Sequence, residues 1–263
     1  MSNKIRLGIL GGGGDSLIGV VHRIASNMFD RYQLVGGCFN PNIEDNNSFA
    51  ERIGIPLNRV YASFDILIEE ELKLPAEERM EVISVLTPNF LHFPMAKKLL
   101  ENGFNVICEK PLTTSYAEAL ELEAIQKEKQ AVFAVTYTYT GYPMVRQMKD
   151  MIRRGVLGTI QKVDLQYYQG WINPIIHQPE ERSKVWRLDP EKGGLSCCIG
   201  DIGTHAFDML EYVTGMEVKQ LLSDLNTLYA DNSLDVDGTV LIRMSEYCKG
   251  VIRASQIATA EEN

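Results

Sequence analysis

Four consecutive glycines, Gly11 to Gly14, separate a short apolar run (Ile5, Leu7, Ile9, Leu10) from a segment with helical spacing that starts at Leu17. That order reads as a buried strand, a tight turn and a helix. The helix N-terminus would present unpaired N–H groups and a partial positive charge to whatever lies over the turn. A dinucleotide-binding turn occupies this position in doubly wound α/β folds. The strict G-x-G-x-x-G spacing is not met, since Gly11-x-Gly13 leads to Ser16 and Gly12-x-Gly14 leads to Leu17. A phosphate loop for triphosphates is half met by Gly14 and Gly19, but Val20-Val21 replace the Lys and Ser/Thr it needs. A dinucleotide is the expected ligand, and a merely tight turn is the alternative.

The rest of the N-terminal half fits that start. Strand-like segments (Gln33–Phe39, Val82–Leu86, Phe104–Cys108, Ala131–Val135) alternate with helical ones (Leu17–Phe29, Asn46–Ile53, Phe93–Glu101, and Ser115 to about Lys129). Ser115-x-x-Glu118 is a capping box, and Asn102-Gly103 is a helix stop. Parallel strands need such crossovers, so a Rossmann-type, doubly wound parallel sheet is expected over residues 1–135. Ligands of such sheets bind beyond the carboxyl ends of the strands.

After about Thr136 the texture changes. A helix over Tyr142–Arg154 is followed by longer alternating segments, Ile160–Tyr168, Gln220–Leu228, Gly238–Met244 and Gly250–Ile257, which look antiparallel. Residues 136–263 are therefore expected to form an α+β domain on a mainly antiparallel sheet. The acidic run Glu69-Glu70-Glu71 is expected to be a solvated face.

Charge and composition narrow the partners. Lys and Arg number 26 against 35 Asp and Glu, a net charge of −9, which disfavours nucleic acid and anionic membrane surfaces. The longest stretch free of charged residues, Gln130–Val145, is 16 residues and rich in Thr and Tyr, too short and too polar to span a bilayer. Met1-Ser2-Asn3-Lys4 runs into the first strand without a signal-peptide core. The five cysteines (Cys38, Cys108, Cys197, Cys198, Cys248) fit reduced thiols, so a cytoplasmic location is expected. His22, His92, His177 and His205 form no metal-binding motif, and no metal is expected. None of the 11 tyrosines has Lys four residues on, which excludes the Tyr-x-x-x-Lys pattern of short-chain dehydrogenases.

Two further segments sharpen the reading: Cys108-Glu109-Lys110-Pro111-Leu112 at a strand end, and Gly200-Asp201-Ile202-Gly203-Thr204-His205-Ala206-Phe207-Asp208. With Thr87-Pro88-Asn89 and the glycine turn, they make the chain resemble the glucose–fructose oxidoreductase / inositol dehydrogenase (Gfo/Idh/MocA) family over essentially its whole length. Gly11–His22, Thr140-Gly141-Tyr142-Pro143 and Gln169-Gly170-Trp171 resemble a sugar- and polyol-oxidising branch. The resemblance implies NAD or NADP as cofactor. It would be held by Gly11, Gly13, Gly14, Ser16, Leu17 and Ile18 at the turn, by Asn40 after the second strand, and by Thr87, Pro88, Asn89, His92, Glu109 and Lys110. Asn40 stands where an acid is common in the family; it can bond a ribose hydroxyl, no Arg follows at once, and the lean is toward NAD. Members it resembles generally continue with more strands and a C-terminal helix, so the second domain is expected to be incomplete. A homodimer or tetramer through its sheet is expected where that sheet is complete.

The chemistry of three residues carries the functional expectation. Pro111 biases Lys110 toward extended geometry, which places an amine at a strand end where it can polarise a carbinol oxygen or share its proton. Asp201 and His205, four residues apart, share a helix face; His can take an alcohol proton and Asp can bond a hydroxyl or hold the imidazole. The structural alternatives are a surface lysine, a helix-capping Asp201 and a core-packed His205. The resemblance places Lys110, Asp201 and His205 on the family's catalytic lysine, aspartate and histidine. Among the nearby aromatic and basic residues, Tyr139, Trp171 and Arg187 are expected to touch the substrate. The expected activity is hydride transfer between a nicotinamide and a secondary alcohol of a sugar or cyclic polyol. A non-catalytic dinucleotide sensor or regulator on the same fold is the alternative, although it has no need of all three residues.

Overall fold

The computed structural model describes residues 4–227 and 233–259. Met1-Ser2-Asn3, the expected strand end Leu228, and Ala260-Glu261-Glu262-Asn263 lie outside the described residues. The chain divides into two compact units between Thr136 and Tyr137.

The first unit is a five-stranded sheet of β1 (Ile5–Gly11), β2 (Tyr32–Cys38), β3 (Val82–Leu86), β4 (Asn105–Cys108) and β5 (Phe133–Val135). The strand order is β2-β1-β3-β4-β5, and every pairing is parallel. The crossovers are α1 (Leu17–Asn27), α2 (Ile43–Arg52), α3 (Phe64–Lys73), α4 (His92–Glu101) and α5 (Tyr116–Lys129). Ser16, Asn42, Ser63 and Ser115 cap α1, α2, α3 and α5 with their side-chain oxygens, each satisfying an orphan first-turn amide. The apolar strands bury both faces, as a parallel sheet demands. Leu10, Ile83, Val85 and Val106 meet α3, α4 and α5 through Leu67, Leu99 and Leu122, while Leu7, Ile9 and Leu86 meet Phe39, Phe49 and Ala50.

Helix α3 has no counterpart among the expected elements, and the acidic run inside it is not wholly a solvated face. Glu69 and Glu70 are exposed and pair with Lys73. Glu71 is fully buried: it takes Arg59 Nη2 at 2.8 Å, the Tyr61 hydroxyl at 2.5 Å and the Met80 amide at 2.8 Å. A helix turns every third or fourth residue to the same side, so one acid of three consecutive ones faces the core, where it needs charge and hydrogen-bond partners.

In the second unit, α6 (Pro143–Arg153) precedes β6 (Lys162–Tyr168). Two one-turn helices, α7 (Pro179–Arg182) and α8 (Pro190–Gly193), lead to a π-helical turn over Ile199–Gly203 that runs into α9 (Thr204–Thr214). Strands β7 (Gln220–Asn226), β8 (Asp237–Arg243) and β9 (Lys249–Ser255) follow. The sheet order is β6-β9-β8-β7. Strands β7 and β8, and β8 and β9, pair antiparallel, as expected, but β6 lies parallel to β9. Alternating polarity says which face is buried and not which way the neighbour runs. The long excursion from β6 to β9 supplies the crossover that a parallel pair needs. Val240, Ile242 and Ile252 pack on Ala206 and Leu210 of α9. Among the described residues, no helix is long and apolar enough to cross a membrane.

Candidate active site

The glycine turn joins β1 to α1 at the carboxyl edge of the parallel sheet. The Gly13 amide donates to the Phe39 carbonyl at 3.2 Å, which ties the turn to the end of β2. A Cβ on Gly19 would sit 1.9 Å from the Gly12 carbonyl oxygen, so only glycine lets the first turn of α1 approach the loop. Gly14 has φ of +57° and nothing within 4 Å of where its Cβ would lie, so this side of the turn is open. Ser16 Oγ accepts from the Gly19 amide at 3.2 Å, while the first-turn amides of Leu17 and Ile18 have no carbonyl one turn back to meet. This open, donor-rich helix start fits a pyrophosphate. Gly19→Ala is expected to weaken dinucleotide binding by at least about tenfold, a loss of ~1.4 kcal/mol or more, read by fluorescence titration with the reduced dinucleotide.

Asn40 lies just past β2, where its side-chain carbonyl accepts from the Asn42 amide at 2.9 Å and leaves its NH2 to donate. The strand end is held by buried Asn46, which accepts from the Phe39 amide at 2.8 Å and donates to the Tyr61 carbonyl at 2.9 Å. Asn46 belongs to no motif, so nothing in the sequence marks it as a support.

Past β3 and β4, the expected cofactor residues divide. Thr87, Pro88 and Asn89 form the turn after β3, with Asn89 buried. His92 is enclosed, 1% exposed, with its ring between the Pro111 carbonyl (2.7 Å) and the Thr87 carbonyl (2.8 Å). It ties the two post-strand loops together, and burial pushes its pKa down despite both carbonyls. Glu109 also faces inward. Its Oε1 lies 2.9 Å from His22 Nε2 and accepts the Thr136 hydroxyl at 2.6 Å, while Oε2 accepts the Lys110 amide at 3.3 Å. Lys110 stands half-buried beside it, joined to Pro111 by a cis peptide.

Burial raises the Glu109 pKa, but the His22 and Thr136 hydrogen bonds outweigh it and hold the carboxyl below the usual glutamate range. A carboxyl whose folded pKa lies below its unfolded one stabilises the fold above the unfolded value, and that contribution is lost as pH falls through the folded value. Glu109→Gln is expected to cost about 1–3 kcal/mol at neutral pH. Its difference from wild type should shrink in acid, as urea midpoints across pH would record.

In the second unit, His205 opens α9 and is 7% exposed. Its ring lies 4.7 Å, centroid to centroid, from Tyr139 and 5.8 Å from Tyr137, both nearly edge-on, with Tyr167 at 6.0 Å. The Tyr139 and Tyr167 hydroxyls are 2.5 Å apart, and burial with that bond pushes the Tyr167 phenol up. Tyr139, Tyr142, Tyr167, His205 and Met209 line a cavity of about 250 Å³.

Asp201 sits in the π turn, so one helical segment delivers both Asp201 and His205, though not as a regular i,i+4 pair. Asp201 does not cap α9. Buried Asp235 instead holds the start of the π turn, its carboxylate accepting the Cys197 amide at 3.0 Å and the Ile199 amide at 2.8 Å. The Asp201 carboxylate accepts instead from Gln256 Nε2 at 3.1 Å and lies 3.5 Å from Arg187 Nε. Arg187 stacks over the Trp186 ring at 4.4 Å, and Trp171 is half-buried in the turn after β6. Lys110 belongs to the first unit, Asp201, His205, Tyr139, Trp171 and Arg187 to the second.

A parallel Rossmann sheet with an open glycine turn, followed by a second α+β unit, defines a dinucleotide-binding class of fold. The chain belongs to the Gfo/Idh/MocA family: residues 5–137 match the model of the oxidoreductase family with NAD-binding Rossmann fold, and residues 145–263 match the GFO/IDH/MocA C-terminal domain. It is 33% identical over 260 residues to the uncharacterized oxidoreductase YfiI of Bacillus subtilis (strain 168), covering 98% of this chain and 66% of that protein. A levoglucosan dehydrogenase of Pseudarthrobacter phenanthrenivorans is 31% identical over 160 residues, 60% of this chain and 39% of that protein. The crystal structure of an inositol dehydrogenase homolog from Azotobacter vinelandii, complexed with NAD+, superimposes with a TM-score of 0.93 at 30% identity, covering 99% of this chain and 67% of that one. The chain thus spans about two thirds or less of the length of these relatives.

Proposed function

We propose that the protein transfers hydride between NAD and a secondary alcohol of a sugar or cyclic polyol, with the first unit holding the dinucleotide and the second the substrate. The observation that carries this reading is the delivery of Asp201 and His205 from one helical segment, with His205 lining a cavity walled by Tyr139, Tyr142 and Tyr167. Polar groups set in an aromatic wall suit a polyhydroxylated ring. Relatives named levoglucosan dehydrogenase, D-xylose 1-dehydrogenase [NADP(+)] and glucose-6-phosphate 3-dehydrogenase support a carbohydrate.

In this reading His205 takes the hydroxyl proton, and Lys110, carried by the first unit, is a second proton-handling group. Asp201 accepts a bond from a neighbouring hydroxyl, with Arg187, Trp171 and Tyr139 fixing the ring's orientation. The bound nicotinamide supplies the hydride-accepting carbon. The protein's part is to hold the carbinol carbon in line and to handle the proton. The choice of NAD over NADP rests on Glu44 and Asp45 in the first turn of α2, close along the chain to Asn40. Their carboxylates disfavour a ribose 2′-phosphate. Exposed β7 and outward Leu222 and Leu241 (70% and 51% exposed) support assembly into a homo-oligomer through the second sheet. The five free cysteines suit a reducing cytoplasm.

A panel of cyclitols, aldoses and anhydrosugars, assayed with both dinucleotides by the absorbance of reduced nicotinamide, tests the reading. At least one polyol should be oxidised, with a higher kcat/KM for NAD than NADP. Dinucleotide binding without turnover of any member would sink it in favour of a sensor.

A further inference from the structure

Gln256 stands one residue past β9 and is 0% exposed. Its backbone is pinned on both sides: its amide donates to the Val236 carbonyl at 2.8 Å, and its carbonyl accepts the Ile172 amide at 3.2 Å. The side-chain amide makes two bonds. Oε1 accepts the Cys197 thiol at 3.1 Å, and Nε2 donates to Asp201 Oδ2 at 3.1 Å. Turning the amide over would set an oxygen against a carboxylate oxygen with no proton between them, so one orientation satisfies the site. The arrangement also requires a protonated sulfur. Burial, together with the Asp201 and Asp235 carboxylates, pushes the Cys197 thiol up to about 12, so it remains a donor.

We propose that Gln256 is a positioning residue for Asp201, oriented in its turn by Cys197, so that thiol, amide and carboxylate form one directed chain. The proposal rests on the substrate-binding role of Asp201 in the proposed function. A neutral amide suits this task better than a second cation. Arg187 already faces the same carboxylate oxygen, and an uncharged N–H fixes the carboxylate's rotation while leaving it an acceptor for a polyol hydroxyl. A buried Gln contributes little to apolar packing, and its enclosure is sustainable because its polar groups are paired.

The test uses exchanges close to isosteric. Gln256→Glu replaces the donor with an acceptor and sets a second carboxyl against the first. Cys197→Ala removes the group that turns the amide, and Cys197→Ser keeps a donor there. Gln256→Glu is expected to lower kcat by about 30-fold, the range for a lost charge-assisted bond. The acid limb of its kcat–pH profile should move to higher pH, because neighbouring carboxyls resist joint ionisation. Cys197→Ala should lose about tenfold, and Cys197→Ser should retain most of what Cys197→Ala loses. Dinucleotide affinity should stay close to wild type throughout. Wild-type kcat and pH profile in both Gln256→Glu and Cys197→Ala would overturn the proposal, as would losses that merely track melting temperature. Should Gln256→Glu fail to fold, the Cys197 pair decides. Crystal structures of the variants read the Asp201 side-chain torsion with no substrate needed. A turned carboxylate is expected, and an unmoved one contradicts the proposal. A protein that oxidises no polyol would therefore remove the functional reading while this torsion still judged the role of Gln256.

Discussion

Lys110→Ala and His205→Asn are each expected to lower kcat for polyol oxidation by about 10²–10⁴-fold, the usual contribution of a positioned proton-transfer group. Dinucleotide affinity should remain within a few-fold of wild type. The two residues stand in different settings, which makes the comparison informative. Lys110 is half-buried at the carboxyl end of a parallel strand, next to a glutamate locked by His22 and Thr136. His205 is nearly enclosed, with its ring edge-on to Tyr139 and Tyr137. Because both are assigned to handling the proton of one reaction, their effects should not add. The double variant is expected to lose little more than the worse single, as groups acting as a unit do. Fully additive losses would assign the two residues to separate steps. Steady-state kinetics of the four proteins, with a parallel dinucleotide titration, decides between these outcomes.

The largest effect on stability is expected away from the chemistry, at Glu71. Glu71→Ala should destabilise the first unit by about 3–5 kcal/mol, the range for breaking a buried ion pair by removing one partner. The carboxylate is fully buried and takes bonds from Arg59, Tyr61 and Met80, so its loss strands a largely enclosed guanidinium and a phenol together. Burial and that carboxylate together push the Tyr61 pKa up. The Arg59→Met, Glu71→Leu double variant should recover much of the loss, since the cost lies in the unpaired charge rather than in the absence of a salt bridge. Urea midpoints of the three proteins measure this. A single variant within 1 kcal/mol of wild type would contradict the account. The consequence reaches the cofactor side, because the Tyr61 amide bonds the Gly37 carbonyl of β2 and its carbonyl holds Asn46, which in turn fixes the strand end at Asn40.

What the sequence discloses and what it hides follow from how far each signal travels. The buried strands of the first unit read plainly, because Val82-Ile83-Ser84-Val85-Leu86 and its neighbours are covered on both faces and nearly all apolar. The glycine turn reads from residue type alone, since close approach at Gly19 excludes any side chain. Glu109-Lys110-Pro111 and Asp201-x-x-x-His205 read as motifs. Helix α3 does not, because its inward face is completed by an acid that only a distant arginine and tyrosine make tolerable. The parallel pairing of β6 with β9 is silent for a different reason: polarity alternates identically in both strand directions. Asp235 and Gln256 are hidden because they act across dozens of residues on the turn that carries Asp201. Only His22 leaves a trace, as the last residue of the Gly11–His22 start, yet nothing in that segment points to Glu109 as its partner.

The most direct measurement follows the transferred hydrogen. A polyol found active in the panel is deuterated at its oxidised carbon and turned over by the wild-type protein, and the reduced dinucleotide is then analysed by mass spectrometry. One deuteron per turnover on the nicotinamide ring, with the label absent from solvent water, is the expected result. Label released to water, or reduced dinucleotide carrying only protium, would contradict direct transfer and with it the roles assigned to Lys110, Asp201 and His205.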